Sequence, residues 1–149
     1  MASPRLRQGR HSEPGHVYSL TAVTAGRKRW FEDPDNAAVL IDVLRFVERS
    51  RYSCSLAWVV MPDHIHWLMQ LRQGSLASCM ALLKSRSSRL LNQRLHRRGQ
   101  FWQHGYFDRA MRTDESLREA AIYILANPVR AGLALGLGDY PHAWCRWPP

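Results

Sequence analysis

Four stretches of the chain have the pattern of β-strands, because apolar and β-branched residues dominate them and turn-forming residues follow. They cover residues 16–25, 54–61, 65–71 and 106–111. Pro62 and Asp63 separate the second stretch from the third, and so short a connection predicts a hairpin. The pattern therefore predicts four strands, two of which are neighbours in a hairpin.

Three other segments repeat apolar residues at helical spacing. They cover about residues 39–47, 74–98 and 115–126. The turn cluster 33–36 precedes the first helix, and Gly99 is placed to end the second. Asp114 is placed to cap the third helix, and the Asn127-Pro128 pair is placed to close it.

The order of elements is strand, helix, strand, strand, helix, strand and a further helix. This is the β-α-β-β-α-β arrangement of a ferredoxin-like α+β sandwich, with an additional C-terminal helix that carries Tyr123. We expect one domain over residues 1–149, with a basic arm at 1–14 and a tail of packed loop at 133–149.

Composition excludes several classes of protein. Hydrophobic residues make up 46% of the 149 positions, enough for a core, and no apolar stretch approaches the ~20 residues of a membrane span. The start of the chain lacks the apolar region of a secretory signal. Three cysteines without C-x-x-C spacing favour neither a disulfide framework nor a cysteine zinc site. We therefore expect the protein to reside in a reducing cytoplasm. No phosphate-binding glycine motif indicates a nucleotide cofactor.

The charge of the chain indicates a polyanionic partner. Lys and Arg number 21 against 12 Asp and Glu, for a net charge of +9. Such an excess predicts binding to nucleic acid or to an anionic membrane surface. No amphipathic anchor accompanies the charge, so we expect no membrane partner.

Two histidines carry the sharpest chemical signal. His64 and His66 are two positions apart at the start of a predicted strand, so both project from one face of the sheet. Two neutral imidazoles side by side suit a divalent metal ion. An H-x-H triplet also arises by chance in a chain with 7 histidines, so a structural role remains the alternative.

A second candidate lies at the end of the last predicted helix. Tyr123 and Asn127 are four positions apart and share a helix face. A phenol can therefore stand beside an amide oxygen that could complete the coordination of a metal ion. The alternative is that Tyr123 belongs to the core and that Asn127 only caps the helix.

The two segments together resemble a known family. Residues 58–66 (WVVMPDHIH) resemble the His-hydrophobic-His (HUH) motif of single-tyrosine transposases. Residues 123–133 (YILANPVRAGL) resemble the tyrosine helix of the REP-associated tyrosine transposases, and 99–103 and 106–109 also look like that branch. The resemblance runs from about residue 15 to residue 133, with all motifs in the expected order.

This resemblance implies a set of roles. His64 and His66 would bind a Mg²⁺ or Mn²⁺ ion, Asn127 would be a third ligand, and Tyr123 would be the nucleophile. The substrate would be a palindromic repeat that folds as a single-stranded DNA hairpin. The strand would be cleaved and rejoined through a 5′-phosphotyrosine, without ATP. We expect a bacterial, cytoplasmic and nucleoid-associated protein that acts as a monomer or a dimer.

The sequence offers more than one general base and more than one function. Asp63, Asp108 and His104 are all candidates for the general base that activates the tyrosine. One alternative function is a DNA-hairpin-binding protein without catalytic activity. Another is a hydrolytic zinc metallonuclease in which His104 joins His64 and His66.

Basic and aromatic residues supply candidate DNA contacts. A solvated face is the ordinary explanation for any single arginine, but a one-sided basic helix beside a phosphodiester site favours contacts with the DNA backbone. Trp102 is the candidate for stacking on an unpaired base. The candidate cations are Arg5, Arg7 and Arg10 in the arm, and Lys84, Arg86, Arg89, Arg94, Arg97 and Arg98 in and after the long helix.

Overall fold

The computed structural model describes residues 12–147 as a mixed α/β fold built on one antiparallel sheet. The five strands are β1 (Val17–Val23), β2 (Ser53–Met61), β3 (His64–Leu71), β4 (Phe107–Ala110) and β5 (Ala143–Cys145). The four α-helices are α1 (Pro34–Arg49), α2 (Leu76–Arg94), α3 (Leu117–Leu125) and α4 (Asn127–Arg130). None of the helices in this described part is long and apolar enough to cross a membrane.

The sheet has the strand order β4-β1-β3-β2-β5, and every neighbouring pair is antiparallel. The first four strands confirm the predicted ferredoxin-like α+β arrangement, including the β2–β3 hairpin. The fifth strand corrects the prediction of a loop-only tail, because residues Ala143–Cys145 pair with the outer edge of β2.

The two faces of the sheet carry different cores. Alternate side chains of β3, such as Ile65 and Trp67, pack with α1 and α2 in the larger core. The intervening positions point to the other face, where Leu68 packs with Ala121 and Ile124 of α3. The helix that carries Tyr123 therefore covers the face opposite to α1 and α2.

Local capping interactions set the helix ends. The side chain of Asp33 accepts a hydrogen bond from the N–H of Asp35 and starts α1 as expected. Helix α2 ends earlier than predicted, because the backbone turns left-handed at His96 (φ 52°). Ser116, and not Asp114, caps α3 by accepting from the N–H of Glu119.

Candidate active site

The histidine pair lies at the start of β3, directly after the hairpin turn. His64, His66 and Leu68 alternate with core residues along the strand, so both imidazoles project toward the face covered by α3. The turn is anchored by a neighbouring segment, because the N–H of Thr24 donates to the carbonyl oxygen of Asp63 at 2.9 Å. The hydroxyl of Thr24 lies between the carbonyl oxygens of Lys28, at 2.7 Å, and Asp63, at 3.1 Å. The fold thus holds both imidazoles on a rigid part of the sheet.

The two imidazoles converge through their Nε2 atoms, which lie 3.2 Å apart. Their rings are nearly perpendicular, at 89°, with centroids 4.8 Å apart. The Nδ1 atom of His64 lies 2.6 Å from Oδ1 of Asp63, and the Nδ1 atom of His66 lies 3.1 Å from the hydroxyl of Thr21. Each ring is therefore oriented from behind by a polar side chain, as metal-binding histidines usually are.

The electrostatic environment keeps one imidazole neutral. Burial, followed by the positive charges of His64 and Arg130, lowers the pKa of His66 to about 4. Burial by itself would raise the pKa of the Asp63 carboxyl, but hydrogen bonds to His64 and Arg27 and their charges lower it. The site consequently combines a neutral imidazole with an ionised carboxylate at neutral pH, the forms that suit a metal ligand and its orienting partner.

Tyr123 is exposed and not part of the core. The residue is 67% exposed, and the guanidinium of Arg130 lies 4.2 Å from the centre of its ring. Arg130 also donates to the carbonyl oxygen of Tyr123 at 3.0 Å and to Oδ1 of Asn127 at 2.6 Å. One arginine thus contacts both predicted residues of the tyrosine helix, and its charge acts on His66 as well.

Sequence reasoning did not select Arg130. Its spacing carried a signal, because it stands seven residues after Tyr123 and three after Asn127, on the same side of consecutive helical turns. The short helix α4, which begins at Asn127, brings its side chain back toward α3. Arg130 therefore belongs with the predicted site residues.

The spacing of the two imidazole nitrogens suits a shared divalent cation. Octahedral ligands about 2.1 Å from a shared ion lie about 3 Å apart, and the two Nε2 atoms are separated by 3.2 Å. The amide oxygen of Asn127, the predicted third ligand, accepts a hydrogen bond from Arg130. Within residues 12–147, no three His, Cys, Asp or Glu side chains form a metal-binding group. The zinc site with His104 is therefore not formed, and His104 instead lines a groove beside α2.

The three candidate bases lie in different places. Asp63 is hydrogen-bonded to His64 and to Arg27, so it orients the His64 ring. Asp108 pairs in register with Leu20, whose side chain belongs to the core under α1 and α2. Asp108 and His104 thus lie toward the face opposite to the histidine pair.

A groove of about 600 Å³ runs beside Tyr123 on the α3 face. Ser19 and Arg109 line it from the sheet, and Glu115 and Glu119 line it from the α3 side. Arg109 donates to both carboxylate oxygens of Glu115, at 2.9 and 3.1 Å, which lowers the pKa of that carboxyl to about 2. The groove leaves one side of the phenol open, and its lining carries both signs of charge, since Arg112 and Asp114 also border it.

The sequence had suggested that the basic helix lies beside the histidine pair, and the structure shows that it does not. Helix α2 packs against α1 on the opposite face of the sheet, and most of its predicted DNA contacts have partners within the fold. Lys84 donates to the carbonyl oxygens of Gln103 and Gly105, Arg86 stacks over Phe46, Arg94 contacts Asp33, Asp35 and Asn36, and Arg97 donates to Asn92.

The remaining predicted cations divide into two groups. Arg89 and Arg98 are exposed, and neither forms an ion pair with another described residue. They remain candidate DNA contacts on the α2 face. Arg5, Arg7 and Arg10 lie outside the described residues.

Trp102 corrects a further prediction. It is only 4% exposed, and its indole N–H donates to the buried hydroxyl of Ser87 at 3.0 Å. Its ring packs against Phe31 and Phe101 in the larger core. Trp102 is a core residue and cannot stack on an unpaired base.

Comparison with curated proteins finds two bacterial relatives. One, from Haemophilus influenzae, is described as a REP-associated tyrosine transposase and is 31% identical over 100 residues, covering 60% of this chain and 57% of the relative. The other, the REP-associated tyrosine transposase of Escherichia coli, is 31% identical over 97 residues, covering 64% and 56%. The chain thus spans little more than half the length of either relative.

Solved structures share the fold. A REP-associated tyrosine transposase bound to a REP hairpin superposes with a TM-score of 0.76 at 24% identity, covering 90% of this chain and 79% of the other. A Deinococcus radiodurans protein assigned as a transposase gives a TM-score of 0.57 at 24% identity, covering 78% and 93%. The family model "Transposase IS200 like" matches residues 13–127, which include His64, His66, Tyr123 and Asn127. The chain therefore belongs to the IS200-like transposase family.

Proposed function

We propose that this protein is a metal-dependent endonuclease and strand transferase that acts on single-stranded DNA through Tyr123. One observation carries the proposal. His64 and His66 point their Nε2 atoms at a common position on the sheet face that α3 covers, and α3 carries the exposed phenol. A cation held by the two imidazoles and the phenol of Tyr123 as nucleophile would together supply the chemistry of phosphodiester cleavage, which supports the proposal.

Each residue has a distinct task in this chemistry. The Oη atom of Tyr123 attacks the phosphorus, a new P–O bond to the tyrosine forms, and the bond to the 3′ oxygen breaks. The phenol proton passes to water as the new bond forms, and the departing 3′ oxygen takes up a proton from water to leave as a hydroxyl. Attack by another 3′-OH later reverses the step and returns the proton to the phenol. Asp63 and Thr21 hold the imidazoles in place. A Mg²⁺ or Mn²⁺ ion held by His64 and His66 would supply positive charge at the phosphate oxygens.

The substrate we propose is a palindromic repeat folded as a DNA hairpin. The solved relative is bound to a REP hairpin, and both curated relatives are REP-associated transposases. The net charge of +9 suits a polyanionic strand. Arg130 is placed to contact a phosphate near the phenol, since its guanidinium lies over the exposed ring.

The test is incubation with a 3′-end-labelled single-stranded repeat hairpin and Mn²⁺, followed by a denaturing gel. We expect a slowly migrating covalent adduct from the parent protein and none from Tyr123→Phe. The Phe variant is a matched control, because it keeps the ring on which Arg130 stacks and removes only the hydroxyl. Hairpin binding should be nearly unchanged.

Other outcomes would replace the proposal. Hairpin binding by the parent without any adduct would indicate a non-catalytic DNA-binding protein. Cleavage without an adduct, restored to chelated protein by Zn²⁺ in preference to Mn²⁺, would indicate a hydrolytic metallonuclease. Cleavage by Tyr123→Phe would show that Tyr123 is not the nucleophile.

A further inference from the structure

A second cavity lies on the face of the sheet opposite to the histidine pair. It has a volume of about 400 Å³ and opens where α1 passes over the outer edge of β2 and β5. Trp58 and Trp144 line it from the sheet, and Arg45 and Arg49 line it from α1. Its size falls within the ordinary range of small-ligand pockets.

The sheet side of this cavity is an aromatic platform. Trp144 pairs in register with Trp58, and the two indoles stack with centroids 6.3 Å apart and planes 26° apart. Trp58 is buried in the larger core, whereas Trp144 remains 37% exposed. The buried indole therefore supports the exposed one, and Trp144 offers its open surface to a flat ligand.

The helix side of the cavity is basic. Arg45 and Arg49 are four residues apart on one face of α1 and are exposed. Neither forms an ion pair with another residue between 12 and 147. Glu48 also lines the cavity, and its carboxylate accepts a hydrogen bond from the N–H of Ser55 at 2.6 Å. Two guanidinium groups thus face one carboxylate, which leaves a net positive charge.

From this arrangement we propose that the cavity binds one unpaired nucleotide of single-stranded DNA. The base stacks on Trp144, and Arg45 and Arg49 hold the flanking phosphates. Stacking on an exposed indole with arginines beside it is the general chemistry of single-strand binding and tolerates any base. The inference rests on the proposed function, since it gives that DNA substrate a second contact on the opposite face.

Binding of a fluorescein-labelled five-nucleotide oligothymidylate tests this inference. Fluorescence anisotropy is measured with EDTA present, so that no cleavage occurs. We expect Trp144→Ala to weaken binding about 5- to 150-fold, as loss of one stacked base predicts, and Trp144→Phe to weaken it less. Arg45→Gln and Arg49→Gln should each reduce the slope of log Kd against log salt by about 0.7.

Arg72→Gln is the matched control, because it removes the same charge from an exposed position after β3. An affinity for Trp144→Ala within twofold of the parent, or an equal loss in Arg72→Gln, would overturn the proposal. A dimer of the parent that dissociates in Trp144→Ala without DNA would show that the cavity binds a second copy instead. Because no adduct forms in this assay, failure of the tyrosine chemistry leaves its result unaffected.

Discussion

Asp63 offers the most direct test of how the candidate metal site is built. Its carboxylate is 17% exposed and lies 2.6 Å from Nδ1 of His64. In Asp63→Ala this partner is lost, while the hydrogen bond from the N–H of Thr24 to the carbonyl oxygen of residue 63 remains available. The substitution therefore removes the orienting group without removing either ligand.

Two independent estimates give the expected loss of metal affinity in Asp63→Ala. Removing the carboxylate behind a metal-binding histidine weakens metal affinity about 10- to 100-fold. A hydrogen bond to a charged group contributes about 1.5–3 kcal/mol, which corresponds to about 10- to 150-fold in a binding constant. The two ranges agree, so we expect Asp63→Ala to bind Mn²⁺ at least tenfold more weakly than the parent.

The assay is calorimetric titration of the purified protein with Mn²⁺ in the absence of DNA. Arg27→Gln is the control, because Arg27 is the other partner of Asp63 and its side chain is 63% exposed. An ion pair at the surface contributes about 0–1 kcal/mol, so this control should change the affinity less than about fivefold. If Asp63→Ala binds Mn²⁺ within twofold of the parent, the carboxylate does not orient the site.

Three further predictions concern groups around the core and the site. Ser87→Ala should lower the free energy of unfolding by about 1–3 kcal/mol in denaturant titrations, because the buried indole N–H of Trp102 loses its acceptor; Ser85→Ala, at an exposed position of the same helix, should change it little. In metal-free buffer, His66 should lower the free energy of unfolding by about 3 kcal/mol as the pH falls from 7 to 4. The reason is that the imidazole of the unfolded chain takes up a proton near pH 6.5, whereas the pKa of His66 in the folded protein is about 4. The parent should therefore lose more stability over this range than His66→Gln. Burial raises the pKa of Cys79 to about 12, so a thiol reagent at pH 8 should modify Cys54 and Cys145 in the folded protein and leave Cys79 unmodified.

Periodicity along the chain was sufficient for the features that depend on local order. The i, i+2 spacing placed His64 and His66 on one face, and the element order gave the ferredoxin-like sheet. The helical spacing of Tyr123 and Asn127 also survived, although the helix divides between them at Ala126. These features follow from the geometry of strands and helices alone.

Features that depend on long-range packing were missed. An amphipathic pattern shows that α2 has a basic face but not which side of the sheet the helix covers. The role of Trp102 depends on a hydroxyl fifteen residues earlier in the chain, on a different element. The three residues of β5 are too few for an alternating pattern, and they form a strand only because the edge of β2 is open to them. Such information lies in contacts and not in spacing.

The anchoring of the hairpin turn has a consequence for the energetics of metal binding. Thr24 donates to the carbonyl oxygen of Asp63, and the N–H of Phe31 donates to that of Pro62, so both turn residues are tied to a segment that precedes α1. The conformational entropy of the two imidazoles is therefore lost when the chain folds and not when an ion arrives. Tyr123 lies on a separate helix, and its ring is contacted by the exposed guanidinium of Arg130. The two parts of the candidate site thus differ in how firmly they are held, with two fixed imidazoles on the sheet and an exposed phenol ring that can change its rotamer without disturbing the strands.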